Sequence, residues 1–223
     1  MVRELVDLGY DAYGCDLGAD WTVGSGSWKG TAPGTTWTSQ DRLLAISASP
    51  YRLPYPDATF DVCISQQVFE HVQNKREVFT EIARVLKPNG LGLHILPSKW
   101  YLPVEPHIFV PFVSWLWPNV PRWFLSSWAL LGIRNKYQRG MGWRQVAEVN
   151  FDFCRDGIHY WSHRQFRELF TEIFGDFRLF NEARLRLGQG RAAKILKRMP
   201  CRGLIASMAG LFSNTCVGHR SNR

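Results

Sequence analysis

The sequence predicts an α/β layered fold, and three observations predict it. Apolar strand-like runs alternate with amphipathic helical stretches through the first hundred residues. The run Phe60 to Ser65, FDVCIS, is short and apolar enough to be a buried strand, and a capped helix follows it. The same rhythm breaks over residues 99–160 and returns at Ser162 with another capped helix and a strand. A chain of 223 residues, 45% apolar and 14% aromatic, can bury one substantial core, and a charged fraction of 21% argues for folding over disorder.

The elements can be justified in order. Val2, Leu5 and Val6 form a helical stripe that Gly9 stops. Tyr10 to Leu17 reads as a strand ending on Asp16, and the Gly/Ser/Thr-rich stretch from Trp21 to Ser39 as a long loop. Leu43 to Ala48 is a short strand, followed by an irregular connection marked by Pro50, Pro54 and Pro56. After FDVCIS a helix is expected through Val72. Asn74 and Glu77 then have the spacing of a capping box, and Val78, Phe79, Ile82, Val85 and Leu86 form an apolar face. Lys87, Pro88, Asn89 and Gly90 carry helix-stop chemistry, and Leu91 to Leu96 is the next strand. Ser162 and Gln165 open a helix lined by Phe166, Leu169, Phe170, Ile173 and Phe174, which Gly175 ends before a strand at Phe177 to Phe180. A helix near Ala192 to Met199 and an apolar patch at Leu204 to Phe212 complete the chain. The organisation expected is a core over 1–98, a cap over 99–160, a return of the core over 161–183 and a basic tail over 184–223.

Charge is unevenly placed. Residues 1–183 hold 18 Lys/Arg against 19 Asp/Glu, whereas residues 184–223 hold 9 Lys/Arg and no acid. Such a tail suits an anionic partner or surface, or a solvated face. No RNA-binding module accompanies it, so no nucleic-acid partner is expected. The five cysteines are odd in number and scattered, without a Cys-x-x-Cys pair, so neither a disulfide framework nor a zinc site is expected. A reducing cytoplasm fits them. The N-terminal stretch is charged and amphipathic, unlike a signal peptide. Ile108 to Ile133 is long and aromatic, but Pro111, Pro118, Pro121 and Arg122 interrupt it. That argues against a spanning helix and for a cap over a pocket, a peripheral lipid contact or a dimer contact.

In an open α/β sheet ligands bind beyond the carboxyl ends of the strands. Asp16, with Leu17 beside it, ends one strand where a carboxylate could accept two ribose hydroxyls, or could simply be a solvated loop aspartate. The stretch Leu53 to Ile95 contains Leu-Pro-aromatic-x-Asp, x-Phe-Asp, a strand, Val-x-Glu-His-Val and Arg-Val-Leu-Lys-Pro-x-Gly, in that order. It resembles the UbiE/UbiG-like branch of class I S-adenosylmethionine-dependent methyltransferases, and the resemblance extends over about two thirds of the chain. It implies a Rossmann-like methyltransferase sheet with an aromatic insertion after the fifth family strand, S-adenosyl-L-methionine as cofactor, and a small or lipid-like acceptor.

The resemblance also implies roles. Asp16 would take the ribose, and Ala48-Ser49-Pro50-Tyr51 would line the adenine edge. Pro50 has no N–H to give, so adenine recognition would fall to Ser49, Tyr51 or apolar contact. Ser65, Gln66 and Gln67 would face the methionine portion and the acceptor, unless the glutamines only begin a helix. His71 and Gln67 are the catalytic candidates, His71 as a base for an acceptor hydroxyl or else as a structural histidine. A metal is not expected, because Gln67 stands where some relatives add a carboxylate to Glu70 and His71. Tyr101, Glu105 and His107 are further polar groups in the cap, and His159 and His163 read as structural.

The family's first strand and glycine-rich turn have no counterpart before Val2, and Gly24-Ser25-Gly26 lies on the wrong loop. The fold expected is therefore a class I sheet lacking that strand, which would sit between the strands ending at Asp16 and Ser65, and the recorded start is expected to be internal to a longer chain. Three other readings stay open: a non-catalytic protein of the same fold, a nicotinamide-dependent oxidoreductase and an RNA methyltransferase.

Overall fold

A computed structural model describes residues 1–17, 42–46, 50–101, 104–188, 194, 202–212 and 214–220. The expected loop at Trp21 to Ser39, the Gly24–Gly26 cluster, Ser49 and all but one residue of the Ala192 to Met199 helix lie outside the described residues. Helix α1 spans Val2–Asp7, and Gly9 after it takes φ +88°, a left-handed value that suits glycine. Strands β1 (Gly14–Leu17) and β2 (Leu43–Ile46) pair in parallel, with Asp16 opposite Ala45 and Leu17 opposite Ile46. A second sheet has the order β3-β4-β6-β5, from β3 (Phe60–Gln66), β4 (Leu86–Pro97), β5 (Arg178–Leu179) and β6 (Asn214–Arg220). β3 and β4 are parallel, and β6 runs antiparallel to both of its neighbours.

Helices α2 (Lys75–Val85) and α6 (His163–Phe174) cover one face of this sheet. Both start where the capping residues require. Asn74 accepts from the Glu77 N–H, and Ser162 and Gln165 satisfy each other's backbone groups in a full capping box. Gly175 ends α6 at φ +71°. The apolar spacing of both helices converges on Phe79, which is fully buried and stacked on Phe69 at 4.3 Å, with Phe170 edge-on at 4.6 Å. Burial of a side chain of this kind contributes about 1.5–3 kcal/mol. On β3, Cys63 packs into this layer, whereas Val62 and Ile64 point the other way and are 47% and 41% exposed.

Three features differ from expectation. No helix follows β3. Gln67 takes φ +54° and its N–H bonds across to the Ile95 carbonyl at 2.8 Å, so residues 67–73 turn rather than wind. Lys87 to Gly90 do not separate α2 from the next strand, because β4 already begins at Leu86. Phe60 pairs with Leu86 and Val62 with Leu91, so these residues bulge opposite Asp61, with Asn89 at φ +63°. The tail is no appendage either. After α7 (Asn181–Leu187) and α8 (Arg202–Phe212), β6 enters the sheet between β4 and β5. Asn181 anchors it, accepting from the Cys216 N–H at 2.7 Å and pairing with Thr215. Net charge could not show this, because the strand rests on Thr215, Cys216 and Val217, all buried.

Residues 104–158 form a separate helical layer. Helices α3 (Val113–Leu116), α4 (Arg122–Leu130) and α5 (Trp143–Asp152) have their own core around Val110, Leu125, Ile158 and Tyr160. Among the described residues no helix is long and apolar enough to cross a membrane. Among them, too, no ladder joins β1 to β3.

Gly92 on β4 gives a sharp test of the core. A Cβ there would meet the ring of His219, which is fully buried and stacked 3.3 Å from Phe174 with no room to retreat. Gly92→Ala should cost about 1–3 kcal/mol by overpacking, read as a lower urea midpoint at unchanged slope.

Candidate functional site

The site begins where β1, β3 and β4 end. Tyr13 lies against Phe60, with ring centroids 6.1 Å apart, and the Cys15 thiol is near enough to Cys63 for each to oppose the other's ionisation, so β1 and β3 advance in the same direction. Asp16 and Gln66 therefore end at the same edge. Asp16 is exposed and alternates with Cys15, whose thiol burial pushes up to about 12. Gln66 is exposed and Gln67 half-buried, held in its left-handed conformation by the bond to Ile95. A non-glycine residue in that region at a strand end is the kind of strain that functional sites retain.

Ser65 is turned the other way. Its hydroxyl pairs with His94 Nδ1 at 2.8 Å under the helical layer, and His94 Nε2 meets His219 Nε2 at 3.2 Å. Burial keeps both imidazoles neutral, lowering His94 well below its usual range and His219 to about 3. What Ser65 offers at the sheet edge is backbone. Tyr51 is half-buried against the core and its N–H donates to Glu77 at 3.0 Å. Leu17 ends β1; Ser49 lies outside the described residues.

Beyond Gln67, the turn carrying Phe69, Glu70 and His71 meets the cap. Phe69 is the anchor, stacked on Phe79. The buried groups here are ionisable: Glu70 is 3% exposed, Lys75 1% and Glu105 2%. Among the described residues neither carboxyl oxygen of Glu70 has a hydrogen-bond partner. Burial raises its pKa, against the pull of His71, His107 and Lys75. Lys75 spends two of its protons on the carbonyls of Val72 (2.7 Å) and His159 (2.8 Å), and burial brings it down to about 7. Glu105 is saturated, accepting from the N–H groups of His107 (2.8 Å) and Ile108 (2.9 Å) and pairing with His107 Nδ1 at 2.7 Å. That pairing raises the His107 pKa. His71 holds its Nδ1 on the Gly157 carbonyl at 2.7 Å and lies edge-on to His107, with centroids 4.8 Å apart.

So the structure brings Asp16, Gln66 and Gln67 to one strand edge and gathers His71 with Tyr101, Glu105 and His107 at the cap junction. His159 and His163 each bury an unpartnered Nε2. Among the described residues no three His, Cys, Asp or Glu side chains are arranged to hold a metal ion. Sequence reasoning missed Lys75: first in its helix, it reads as a solvent-facing residue, but the Trp161 ring lies 5.1 Å from its Nζ and two carbonyls hold it inward.

Comparison with known proteins bears on this arrangement. A family model described as a methyltransferase domain matches residues 1–93, which include β1 to β3, α2 and most of β4. A probable S-adenosylmethionine-dependent methyltransferase of Mycobacterium tuberculosis is 31% identical over 100 residues, 44% of this chain and 36% of that protein. An uncharacterized methyltransferase of the same species is 38% identical over 60 residues, 27% and 23% of the two chains. The 27-O-demethylrifamycin SV methyltransferase of Amycolatopsis mediterranei is 40% identical over 50 residues, 22% and 18%. The matches thus span well under half the length of these relatives. Among solved structures, an S-adenosylmethionine-dependent methyltransferase from Mesorhizobium loti aligns over 80% of this chain and 69% of its own, at 14% identity and a TM-score of 0.42. Residues 1–93 are therefore similar to a methyltransferase domain, set in a mixed α/β fold.

The Glu70 carboxyl yields a pH prediction. Its folded pKa is raised, so the stability it contributes is present below its unfolded pKa and is lost as pH rises through the folded value. Glu70→Gln should therefore match the native protein near about pH 4 and melt at higher temperature by about pH 8, the gap widening between. Thermal unfolding at a series of pH values checks this.

Proposed function

We propose that this chain carries the core of an S-adenosylmethionine-dependent methyltransferase of the UbiE/UbiG-like branch, acting on a small, apolar acceptor. The observation that carries the reading is the methyltransferase-domain match over residues 1–93, whose strand ends bear Asp16 and the strained Gln67. The residues present fit a nucleoside ligand at that edge. Asp16 is an exposed carboxylate at a strand terminus and would accept the two ribose hydroxyls. Leu17, Ser49 and Tyr51 would flank the adenine, and the backbone of Ser65 with Gln66 and Gln67 would face the methionine portion. When bound, the cofactor supplies an electrophilic methyl group on a sulfonium. The chain's part is to aim an acceptor at it and exclude water.

His71 is placed for the acceptor side. Its Nδ1 is committed to a carbonyl, which fixes the tautomer and leaves Nε2 as the atom for a ligand. Gln67, locked by its backbone bond to Ile95, would orient the acceptor. The aromatic side chains Trp100, Phe109, Phe112 and Trp115, all partly exposed on the cap, support an apolar acceptor, with a peripheral lipid contact as the extension of that surface.

Calorimetry with S-adenosylhomocysteine is the test. The native chain should bind it saturably, and Asp16→Ala should weaken binding about tenfold or more, because the lost hydrogen bonds are to a charged acceptor. Absence of binding by the native chain would sink the proposal and favour a non-catalytic protein of the same fold.

A further inference from the structure

The mechanism sketched above leaves the cap's own ionisable pair unused, and its geometry is that of a supported base. Glu105 is buried and holds three donors, two of them backbone N–H groups that lock the carboxylate in place. The third is His107 Nδ1, so the ring's Nε2 points away from its carboxylate. The His107 side chain is 42% exposed, which leaves Nε2 within reach of a ligand. An imidazole whose Nδ1–H is held by a buried carboxylate is oriented, fixed in one tautomer and able to carry a positive charge. His71 differs in one respect: its Nδ1 partner is a neutral backbone carbonyl, not a carboxylate. Facing His107 are the His71 and Phe153 rings, at 4.8 and 5.3 Å, and the carboxyl of Glu70 is near enough to act on it electrostatically. Tyr101 belongs to the same field, its hydroxyl pushed up by burial and then by Glu105 and Glu70.

We propose that His107, positioned by Glu105, is the base that takes the proton from a phenolic or enolic hydroxyl on the acceptor, which makes the acceptor an aromatic alcohol rather than an amine or a carboxylate. This deepens the methyl-transfer reading and rests on it for the fate of the oxygen. The proton step itself stands alone. The O–H bond breaks, its electron pair stays on oxygen, and the proton forms the new N–H bond at Nε2, with Glu105 balancing the imidazolium. A neutral hydroxyl needs such a base because its oxygen is a weak nucleophile until the proton leaves. An amine, once neutral, attacks through its lone pair without one, and a carboxylate has no proton to lose. The aromatic preference follows from the neighbouring surface. Trp115 donates its indole N–H to the Tyr101 carbonyl and is edge-on to Trp100 at 5.7 Å and to Phe112 at 5.8 Å, an aromatic bed attached to the same strand end.

The probe is 4-nitrophenol, whose phenolate absorbs visible light where the neutral form does not. Bound to the native protein, it should ionise at lower pH than in water, its ionisation constant raised about tenfold or more by the imidazolium beside it. His107→Gln, a change at a half-exposed ring, should abolish that shift. Glu105→Gln keeps an acceptor for the two backbone N–H groups but no charge, and should lose most of it, as a positioning residue would. Failure of the probe to bind, ionisation as in water while bound, or a shift that survives in His107→Gln would each overturn the proposal. Calorimetry with S-adenosylhomocysteine separates the two readings: both variants should bind it as the native chain does. A native protein that shifts the probe but binds no S-adenosylhomocysteine would leave the base standing and remove the methyl-transfer reading.

Discussion

The contact on which the site depends is the stack of Phe69 on Phe79. Phe79 belongs to α2 and sits in the middle of the aromatic layer that α2 and α6 press onto the sheet, whereas Phe69 belongs to the turn after β3. By burying Phe69, the core fixes the turn that follows Gln67, and Glu70 and His71 come next in the chain with little freedom left. A turn at a strand end would otherwise be among the least stable parts of a domain. Here it is tied at one end by the Gln67 N–H bond to β4 and in the middle by an aromatic stack.

The buried charges at the cap junction follow from that arrangement. Desolvation pushes Glu70 toward its protonated form and Lys75 toward its neutral form, and each carries a partial remedy in the other's charge. They are not solved alike. Lys75 is satisfied by carbonyls, Glu105 by three donors, and Glu70 by nothing among the described residues. Buried polar groups without partners are uncommon in folded proteins, and when they gather beside half-exposed histidines they mark a place where a ligand completes the hydrogen bonding.

Much of the fold was legible in residue order. Asn74 with Glu77 and Ser162 with Gln165 announce two helices, Gly175 ends the second of these and Gly9 follows the first helix of the chain, and FDVCIS reads as a strand from its apolar run. Each signal is local, carried by residues within a turn or two. The misreadings share the opposite character. The helix expected after β3 fails because Gln67 donates to Ile95 rather than to its own segment. The basic tail conceals a central strand because β6 is held by Asn181 and by pairing with β4, and charge counts carry no trace of either.

Residue order by itself determined the alternation of strands and helices, the caps, the aromatic insertion and the strand ends where ligand chemistry could sit, because propensity, periodicity and capping act between near neighbours. Tertiary structure alone decided which way those residues face. It turned Ser65 inward onto His94, buried Lys75 beneath Trp161, and set His71 on the carbonyl of a residue 86 positions away, beside His107. Such choices depend on which surfaces meet when the layers close, and the free energy that selects them comes from contacts between segments far apart in the chain.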